Sequence, residues 1–194
     1  MTLGSHQTTV GKSQVHITPK WIIDALGPFD LDPCAADPRP WDCAKQNITE
    51  AGWVAFPSAE WCEPIRGLDF EWPRDLLVWL NPPFDRYEVD KWIAKLALHG
   101  NGIALLHART ETEWFRPCWE YAAAILFMDR RISFCRPDGS EQPANSGAPP
   151  VLVAFGEAAY RRLMDSRIAG MMVTDWYIRN FGDTAAFPTR RSAP

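Results

Sequence analysis

Runs of four or five consecutive apolar residues recur from residue 76 onward and most constrain the fold of the chain. Runs of this length between turn residues predict strands that are buried on both faces. Patterns with helical periodicity separate them, at about Val89–Leu98, Glu111–Ala123 and Glu157–Ile168. Strands that alternate with helices predict an α/β fold with a mostly parallel sheet and helices on both faces. The apolar runs are Leu76–Leu80, Ile103–Leu106, Ile125–Met128 and Val151–Phe155.

The first half of the chain predicts fewer regular elements. Thr18 as N-cap and Pro19 at the first helical position predict a helix that ends before Gly27. Phe29–Pro33 alternates apolar and acidic residues, which predicts a short strand that ends in a turn. Residues 36–75 are rich in proline and tryptophan, and we expect loops there with one or two short elements.

Three further features concern the second half. Pro117 falls inside the helix predicted over 111–123 and is expected to kink it. Ile132–Phe134 predicts an additional strand, and residues 136–150, rich in turn-forming residues, predict a long loop. Val151–Phe155 is then predicted to be the last strand.

The length of 194 residues and a hydrophobic fraction of 46% predict one domain with a substantial core. We expect a loose N-terminal lead-in over 1–16, the domain over 17–180 and a flexible tail over 181–194. The chain has no apolar run of membrane-spanning length, and its N-terminus is polar rather than signal-like, which predicts a cytoplasmic protein without a membrane partner. Five irregularly spaced cysteines without a C-x-x-C pair predict buried thiols and no metal site.

Charge sets a limit on nucleic-acid binding. The net charge of −4 argues against a protein that is held on nucleic acid by charge alone. Neither a P-loop nor a G-x-G-x-x-G motif is present. Several arginines nevertheless cluster in the second half, and they are either ordinary surface residues or part of a local basic surface: Arg109, Arg116, Arg130, Arg131 and Arg136.

The tetrapeptide Asn81-Pro82-Pro83-Phe84 follows a predicted buried strand, at the strand end where open α/β sheets bind ligands. The Asn81 carboxamide can accept a hydrogen bond from an exocyclic amino group. The prolines lack backbone donors, which leaves carbonyl acceptors, and the Phe84 ring offers a face to a flat base. The alternative interpretation is a tight turn that ends the strand.

Other polar residues lie in or near predicted strands. The carboxylates of Asp30 and Asp32 are suited to ribose hydroxyls or an ammonium group, although Asp32-Pro33 is also a common capped turn. Asp69 is either a further carboxylate of the same crevice or an ordinary loop residue. Arg109 is expected to face the crevice and to hold a phosphate or an acidic group, whereas a lone histidine such as His107 is more often structural.

Six stretches together resemble phage and prophage DNA N-6-adenine methyltransferases, over roughly residues 16–156. Asn-Pro-Pro-aromatic alone is shared with other amino-methyltransferases, including some that act on protein glutamine, so the full set in this order carries the resemblance. The stretches are Thr18-Pro-x-Trp-Ile-Ile, Phe29-Asp-Leu-Asp-Pro-Cys-Ala-Ala, Gly67-Leu-Asp, Val78-Trp-Leu-Asn-Pro-Pro-Phe, Ala108-Arg-Thr-Glu-Thr-x-Trp-Phe and Arg131-Ile-Ser-Phe.

The resemblance implies a Rossmann-like methyltransferase fold and S-adenosylmethionine as the cofactor. Asn81–Phe84 match the family's catalytic motif, with Phe84 where many relatives carry tyrosine. The segments matched to the cofactor side lack the glycine-rich loop of the wider methyltransferase pattern. The residues expected to bind the cofactor are Thr18, Pro19, Asp30, Asp32, Pro33, Cys34, Ala35 and Asp69.

The sequence thus predicts a methyltransferase that acts on the exocyclic amino group of adenine in DNA. Arg109 and Arg136 are predicted to contact the DNA, the latter from the long loop over 136–150. Two alternatives are open: an enzyme of the same fold that acts on RNA or on a protein amide nitrogen, and a catalytically silent DNA-binding or DNA-mimicking protein. The recognition sequence, the preference for duplex or single strand and the oligomeric state are left open.

Overall fold

The computed structural model describes residues 16–49, 66–84, 88–143 and 146–176. The predicted lead-in, except His16, and the predicted tail lie outside these residues. The helices are α1 (Lys20–Leu26), α2 (Val89–His99), α3 (Arg116–Tyr121) and α4 (Glu157–Asp165). The strands are β1 (Phe29–Ala35), β2 (Ala44–Thr49), β3 (Val78–Leu80), β4 (Gly102–His107), β5 (Ala124–Met128), β6 (Pro150–Phe155) and β7 (Gly170–Val173).

The described strands form one sheet in the order β2-β1-β3-β4-β6-β5-β7. The pairings β2-β1, β1-β3 and β3-β4 are parallel, whereas β6 lies antiparallel to both β4 and β5, and β7 lies antiparallel to β5. It follows that β5 shares its direction with the four parallel strands. The prediction of a mostly parallel sheet is therefore confirmed for the β2-to-β4 half, and the other half is mixed because β6 and β7 run in reverse.

Helices cover both faces of the sheet, as predicted. On one face, α1 and α4 pack around Trp79, Leu105 and Leu152. On the other face, α2 and α3 pack around Leu80 and Leu106, together with residues that alternate with those of the first face. The central strands are buried throughout, because apolar side chains on both of their faces meet a helical layer.

Several predicted boundaries are wrong in detail. Pro19, not Thr18, caps α1, and no side chain caps that helix. Pro117 lies in the first turn of α3, where a missing N–H costs no helical hydrogen bond, so it starts a helix instead of kinking one. Ile132–Phe134 forms no strand; only the neighbouring Cys135 makes isolated bridges, to Ile17 and Glu141.

The C-terminal part of the sheet also differs from the prediction. The last described strand is β7, which follows α4, and not β6. Its four residues, Gly-Met-Met-Val, are exposed or half-buried at the edge of the sheet. Their apolar run of three residues is shorter than the runs of four or more that predict a buried strand. Among the described residues, no helix is long and apolar enough to cross a membrane.

The topology concentrates loops at one edge of the sheet. The strands β1, β3, β4 and β5 share a direction, so their carboxyl ends, at Ala35, Leu80, His107 and Met128, lie along the same edge. The chain passes from β1 to β2 on one side and later places β3 on the other side of β1. Such a change of order opens a crevice at the carboxyl ends of the two central strands.

We predict that two glycines with positive φ differ sharply in tolerance to alanine. Gly156 has φ 84° and ψ 167°, a region that glycine almost alone occupies, and a Cβ there would lie 2.0 Å from the Gly100 carbonyl oxygen. Gly100 has φ 74° in the left-handed region, and its Cβ would meet nothing within 4 Å. Gly100→Ala should lower the free energy of unfolding by about 1–2 kcal/mol. Gly156→Ala should lower it by clearly more, as urea unfolding can measure; equal losses would contradict the steric argument.

Candidate functional site

The Asn81 carboxamide lies directly after β3 and has one end bound and one end free. Its Nδ2 donates a 2.8 Å hydrogen bond to the carbonyl oxygen of His16. Its Oδ1 is buried and has no hydrogen-bond partner among the described residues. Since the Nδ2 bond fixes the orientation of the amide, the acceptor oxygen is held ready for a donor that the protein itself does not supply.

The short segment that orients Asn81 is itself anchored. Ile17 and Cys135 exchange backbone hydrogen bonds, with N–O distances of 3.3 and 2.8 Å. The His16 ring packs against Phe134, with 5.0 Å between the ring centroids. The segment at His16–Thr18 is thereby attached to the chain that follows β5, and its carbonyl oxygen reaches Asn81 from the same edge of the sheet.

The Phe84 ring stacks on the imidazole of His107, the last residue of β4. The ring centroids lie 4.0 Å apart and the planes are inclined by 10°. Burial, together with the smaller effects of the nearby Arg109 and His16 charges, lowers the pKa of His107 to about 4. The imidazole is therefore neutral at neutral pH, and the stack consists of two uncharged rings.

A thiol connects the end of β1 to the segment that follows β3. Cys34 Sγ donates a 3.3 Å hydrogen bond to the carbonyl oxygen of Asn81, and its backbone N–H donates to Asp32 Oδ1 at 3.1 Å. Asp32 is 4% exposed. Burial raises the pKa of this carboxyl to about 7, against the opposing effects of the Cys34 N–H, the Arg39 charge and the Cys43 and Cys34 thiols. The structure thus places Asp32, Cys34 and Asn81 in one continuous group.

The segment that contains Asp69 also reaches the end of β1. A Cβ built on Gly67 would lie 1.9 Å from the carbonyl oxygen of Pro33, so the two backbones are in direct contact. Lys95 of α2 donates hydrogen bonds to the carbonyl oxygens of Leu68 and Phe70, at 2.8 and 2.6 Å, and so attaches this segment to the helix. The Asp69 side chain is exposed beside this contact.

Thr18 and Ala35 are buried at this edge, and Pro19 precedes α1. The Thr18 carbonyl oxygen accepts a 3.2 Å hydrogen bond from the Trp41 indole, whereas its buried Oγ1 has no partner among the described residues. The Thr18 hydroxyl is thus a second buried polar group without a partner among the described residues, and it belongs to the segment that orients Asn81.

Asp30 is not brought to this group. It lies near the amino end of β1, where its carboxylate accepts hydrogen bonds from Lys45 Nζ at 2.8 Å and from the Leu77 N–H at 3.0 Å. These bonds lower the pKa of Asp30 below its usual value. The carboxylate is already satisfied, at the end of the strand that faces away from Asn81.

An open cleft of about 440 Å³ also lies at the amino ends of β1 and β2, lined in part by Gly27, Asp42 and Lys45. Its Asp42 and Lys45 side chains are already paired with Arg39 and Asp30. Because these two side chains of the cleft are already paired, they offer no counterpart to the unpaired Asn81 oxygen. We therefore place the functional site at the opposite edge.

The two predicted DNA-contacting arginines are exposed near the carboxyl edge. Arg109 follows β4 directly, and its backbone N–H donates to the His107 carbonyl oxygen at 2.7 Å. Arg136 begins a turn in which its backbone N–H donates a 2.8 Å hydrogen bond to the Ser140 carbonyl oxygen. The turn packs near Trp41, since a Cβ on Gly139 would lie 3.6 Å from that ring.

Two site residues were not found by sequence reasoning. His16 acts through its backbone carbonyl, which no residue type can signal. His107 was set aside as structural, and its position at the end of β4 was the available signal. Around these residues, as elsewhere in the described ranges, no three His, Cys, Asp or Glu side chains are grouped to hold a metal ion.

Comparison with known proteins identifies the family. The family model described as "DNA N-6-adenine-methyltransferase (Dam)" matches residues 5–169. No curated protein matches the chain. Because the family match spans most of the chain, the chain belongs to the DNA N-6-adenine-methyltransferase family, as its motifs predict.

We predict opposite pH dependences for two carboxylates of β1. The folded-state pKa of Asp32 is raised from 3.8 to about 7, so the unfolded chain binds fewer protons there and stability falls as pH rises through this window. Asp32→Asn should remove that fall. The folded-state pKa of Asp30 is lowered, so its carboxylate stabilises the folded wild type at neutral pH and this contribution is lost on acidification. Asp30→Asn should lack that contribution at every pH. Urea unfolding from about pH 2 to pH 8 measures both, with the Asp30 effect below about pH 4 and the Asp32 effect between about pH 4 and pH 7. Parallel wild-type and Asp32→Asn curves would contradict the burial argument.

Proposed function

We propose that this chain transfers a methyl group from S-adenosylmethionine to the exocyclic amino group of adenine in DNA. One observation carries the proposal: the buried Oδ1 of Asn81, at the carboxyl edge of the sheet, has no hydrogen-bond partner among the described residues. An amino group brings the N–H donor that this acceptor lacks. Membership of a family described by adenine N6 methylation supports the same substrate.

The remaining chemistry follows from the residues around Asn81. A target adenine must leave the duplex, at roughly a few kcal/mol of unstacking. In the proposal Phe84 stacks on the base, while Asn81 Oδ1 and the Pro82 carbonyl accept the two amino hydrogens. Held in this way, the nitrogen lone pair points away from the protein acceptors. Positioning of the nucleophile supplies most of the acceleration.

The residues at the end of β1 fit an S-adenosylmethionine site. Burial raises the pKa of the Asp32 carboxyl more than the Arg39 charge and its hydrogen bonds lower it, so a bound ammonium group would stabilise its ionised form. Asp69 and the orphan Thr18 Oγ1 are further polar groups at this edge, bordered by Pro19 and by Pro33, Cys34 and Ala35. When bound, the cofactor supplies the electrophilic methyl group. Asp30 is left out of this site, because its carboxylate is already bound at the other end of β1.

The fold supports the proposal. Five strands in one direction, helices on both faces and a change of order between β1 and β3 are features of a Rossmann-like sheet, which we propose within a domain over residues 17–180. Exposed Arg109 and Arg136 are proposed to bind DNA phosphates at the same edge.

We predict that Asn81→Ala lowers the methylation rate about 100- to 1000-fold and leaves cofactor binding nearly unchanged. The reason is that the amino hydrogens lose an acceptor whose contact strengthens as the nitrogen becomes tetrahedral. Phe84→Ala should act mainly on base binding, since base stacking is worth roughly 1–3 kcal/mol. Phe84→Tyr keeps the ring face and should be nearly silent.

Single-turnover transfer of labelled methyl groups to DNA, with calorimetry of cofactor binding, measures these effects. Parallel reactions with RNA and with protein test the other amino-group substrates, and nucleoside analysis identifies the product. A folded Asn81→Ala variant with full activity would show that the tetrapeptide is only a turn. Absence of transfer to any substrate by wild type would favour a silent DNA-binding protein.

We also predict that Arg136→Ala weakens DNA binding and flattens its salt dependence, by about one unit in the slope of log affinity against log salt. Arg74→Ala is the matched control, because Arg74 is equally exposed but precedes β3 at the amino edge. Fluorescence anisotropy at several salt concentrations measures both slopes. Equal behaviour of the two variants would remove Arg136 from the DNA-contacting surface.

A further inference from the structure

One face of the Phe84 ring is already occupied in the protein. The His107 imidazole lies parallel to it, 4.0 Å between the centroids and 10° between the planes. A planar ring has two faces, so this stack leaves a single face of Phe84 for any other flat group.

His107 is well placed to hold that ring in a fixed plane. It ends β4, in the middle of the sheet, and pairs there with Pro150 of β6. The backbone after the strand is fixed by two hydrogen bonds, from the Ala108 N–H to the Pro149 carbonyl oxygen at 2.8 Å and from the Arg109 N–H to the His107 carbonyl oxygen at 2.7 Å. Phe84, by contrast, follows two prolines in a loop, where regular secondary structure does not fix its side chain.

The electrostatics of the imidazole agree with a passive support. Its half-buried position and the neighbouring Arg109 and His16 keep the ring neutral, with the pKa lowered to about 4. A neutral ring does not attract phosphate, and it has no proton to give at neutral pH. His107 therefore contributes a flat surface and not a charge.

We propose that His107 is a positioning residue that stacks behind Phe84 and holds its free face toward the flipped adenine. This deepens the proposed function and rests on it. The order of the three rings is then His107, Phe84 and base. Without His107, the Phe84 ring can adopt other side-chain orientations, and base binding must supply the cost of ordering it.

The enzymatic test compares His107→Ala with His107→Phe, which restores a flat ring. His107→Ala should raise the KM for DNA about 3- to 10-fold, in line with the loss of one aromatic pair, and leave the KM for the cofactor unchanged. His107→Phe should return the KM for DNA to near wild type. Tyr121→Ala, which removes an exposed aromatic ring from the end of α3, is the control and should change neither value.

Two outcomes would overturn the proposal. A lower KM for DNA in His107→Ala would show that the imidazole occupies the place of the base and competes with it. An unchanged KM in a folded His107→Ala variant, with thermal unfolding as the check, would show that the stack has no part in base binding.

A second measurement needs no substrate and separates this inference from the proposed function. With 4-fluorophenylalanine at position 84, the ¹⁹F resonance should shift and broaden in His107→Ala and remain close to wild type in His107→Phe, because only a stacked ring supplies the ring-current field. If wild type methylates no DNA, the proposed function fails, and the ¹⁹F comparison still decides whether His107 orders Phe84. An identical resonance in all variants would disprove the ordering itself.

Discussion

The junction between β1 and β3 is the constraint on which the site depends. The two strands are parallel neighbours, with Leu31 opposite Val78, and the chain reverses its direction of travel across the sheet at this point. The Cys34 thiol donates across the junction to the Asn81 carbonyl oxygen. Gly67 presses on the Pro33 backbone and brings a third segment to the same place. Segments that are distant in sequence therefore share one crevice because of backbone contacts rather than long side chains.

Burial then sets the electrostatic character of that crevice. The same physical cause, removal from water, raises the pKa of Asp32 and lowers the pKa of His107. Both shifts favour the uncharged form of these two groups, as expected where water is excluded. In such an environment the partnerless oxygen of Asn81 interacts strongly with a donor, because little water competes for it.

The sequence predicts the elements with strong patterns and misses those without one. The apolar runs locate β4, β5 and β6, and the helical pattern with its glycine stop locates α2 to within one residue. The strand β7 has only a short apolar run, and the order of β6 and β5 depends on pairing that local sequence does not encode. In the site, the polar residues at strand ends predict that Asp32 and Asn81 lie close together. The bonds that hold the Asp30 carboxylate near the amino end of β1 come from Lys45 and Leu77, which are distant in sequence, so no local pattern predicts them. The hydrogen bond from Asn81 to the His16 carbonyl and the stack of His107 on Phe84 join residues that are distant in sequence, so no local pattern predicts them.

The hydrogen bond from Asn81 to His16 links the orientation of the central amide to chain that precedes the first helix. The sequence-based boundary would cut the protein directly after His16 and leave every helix and strand of the fold intact. A version trimmed at that point would retain every described helix and strand and would lose the carbonyl oxygen that aligns the amide. A boundary drawn from the regular elements alone would therefore separate Asn81 from the group that orients it.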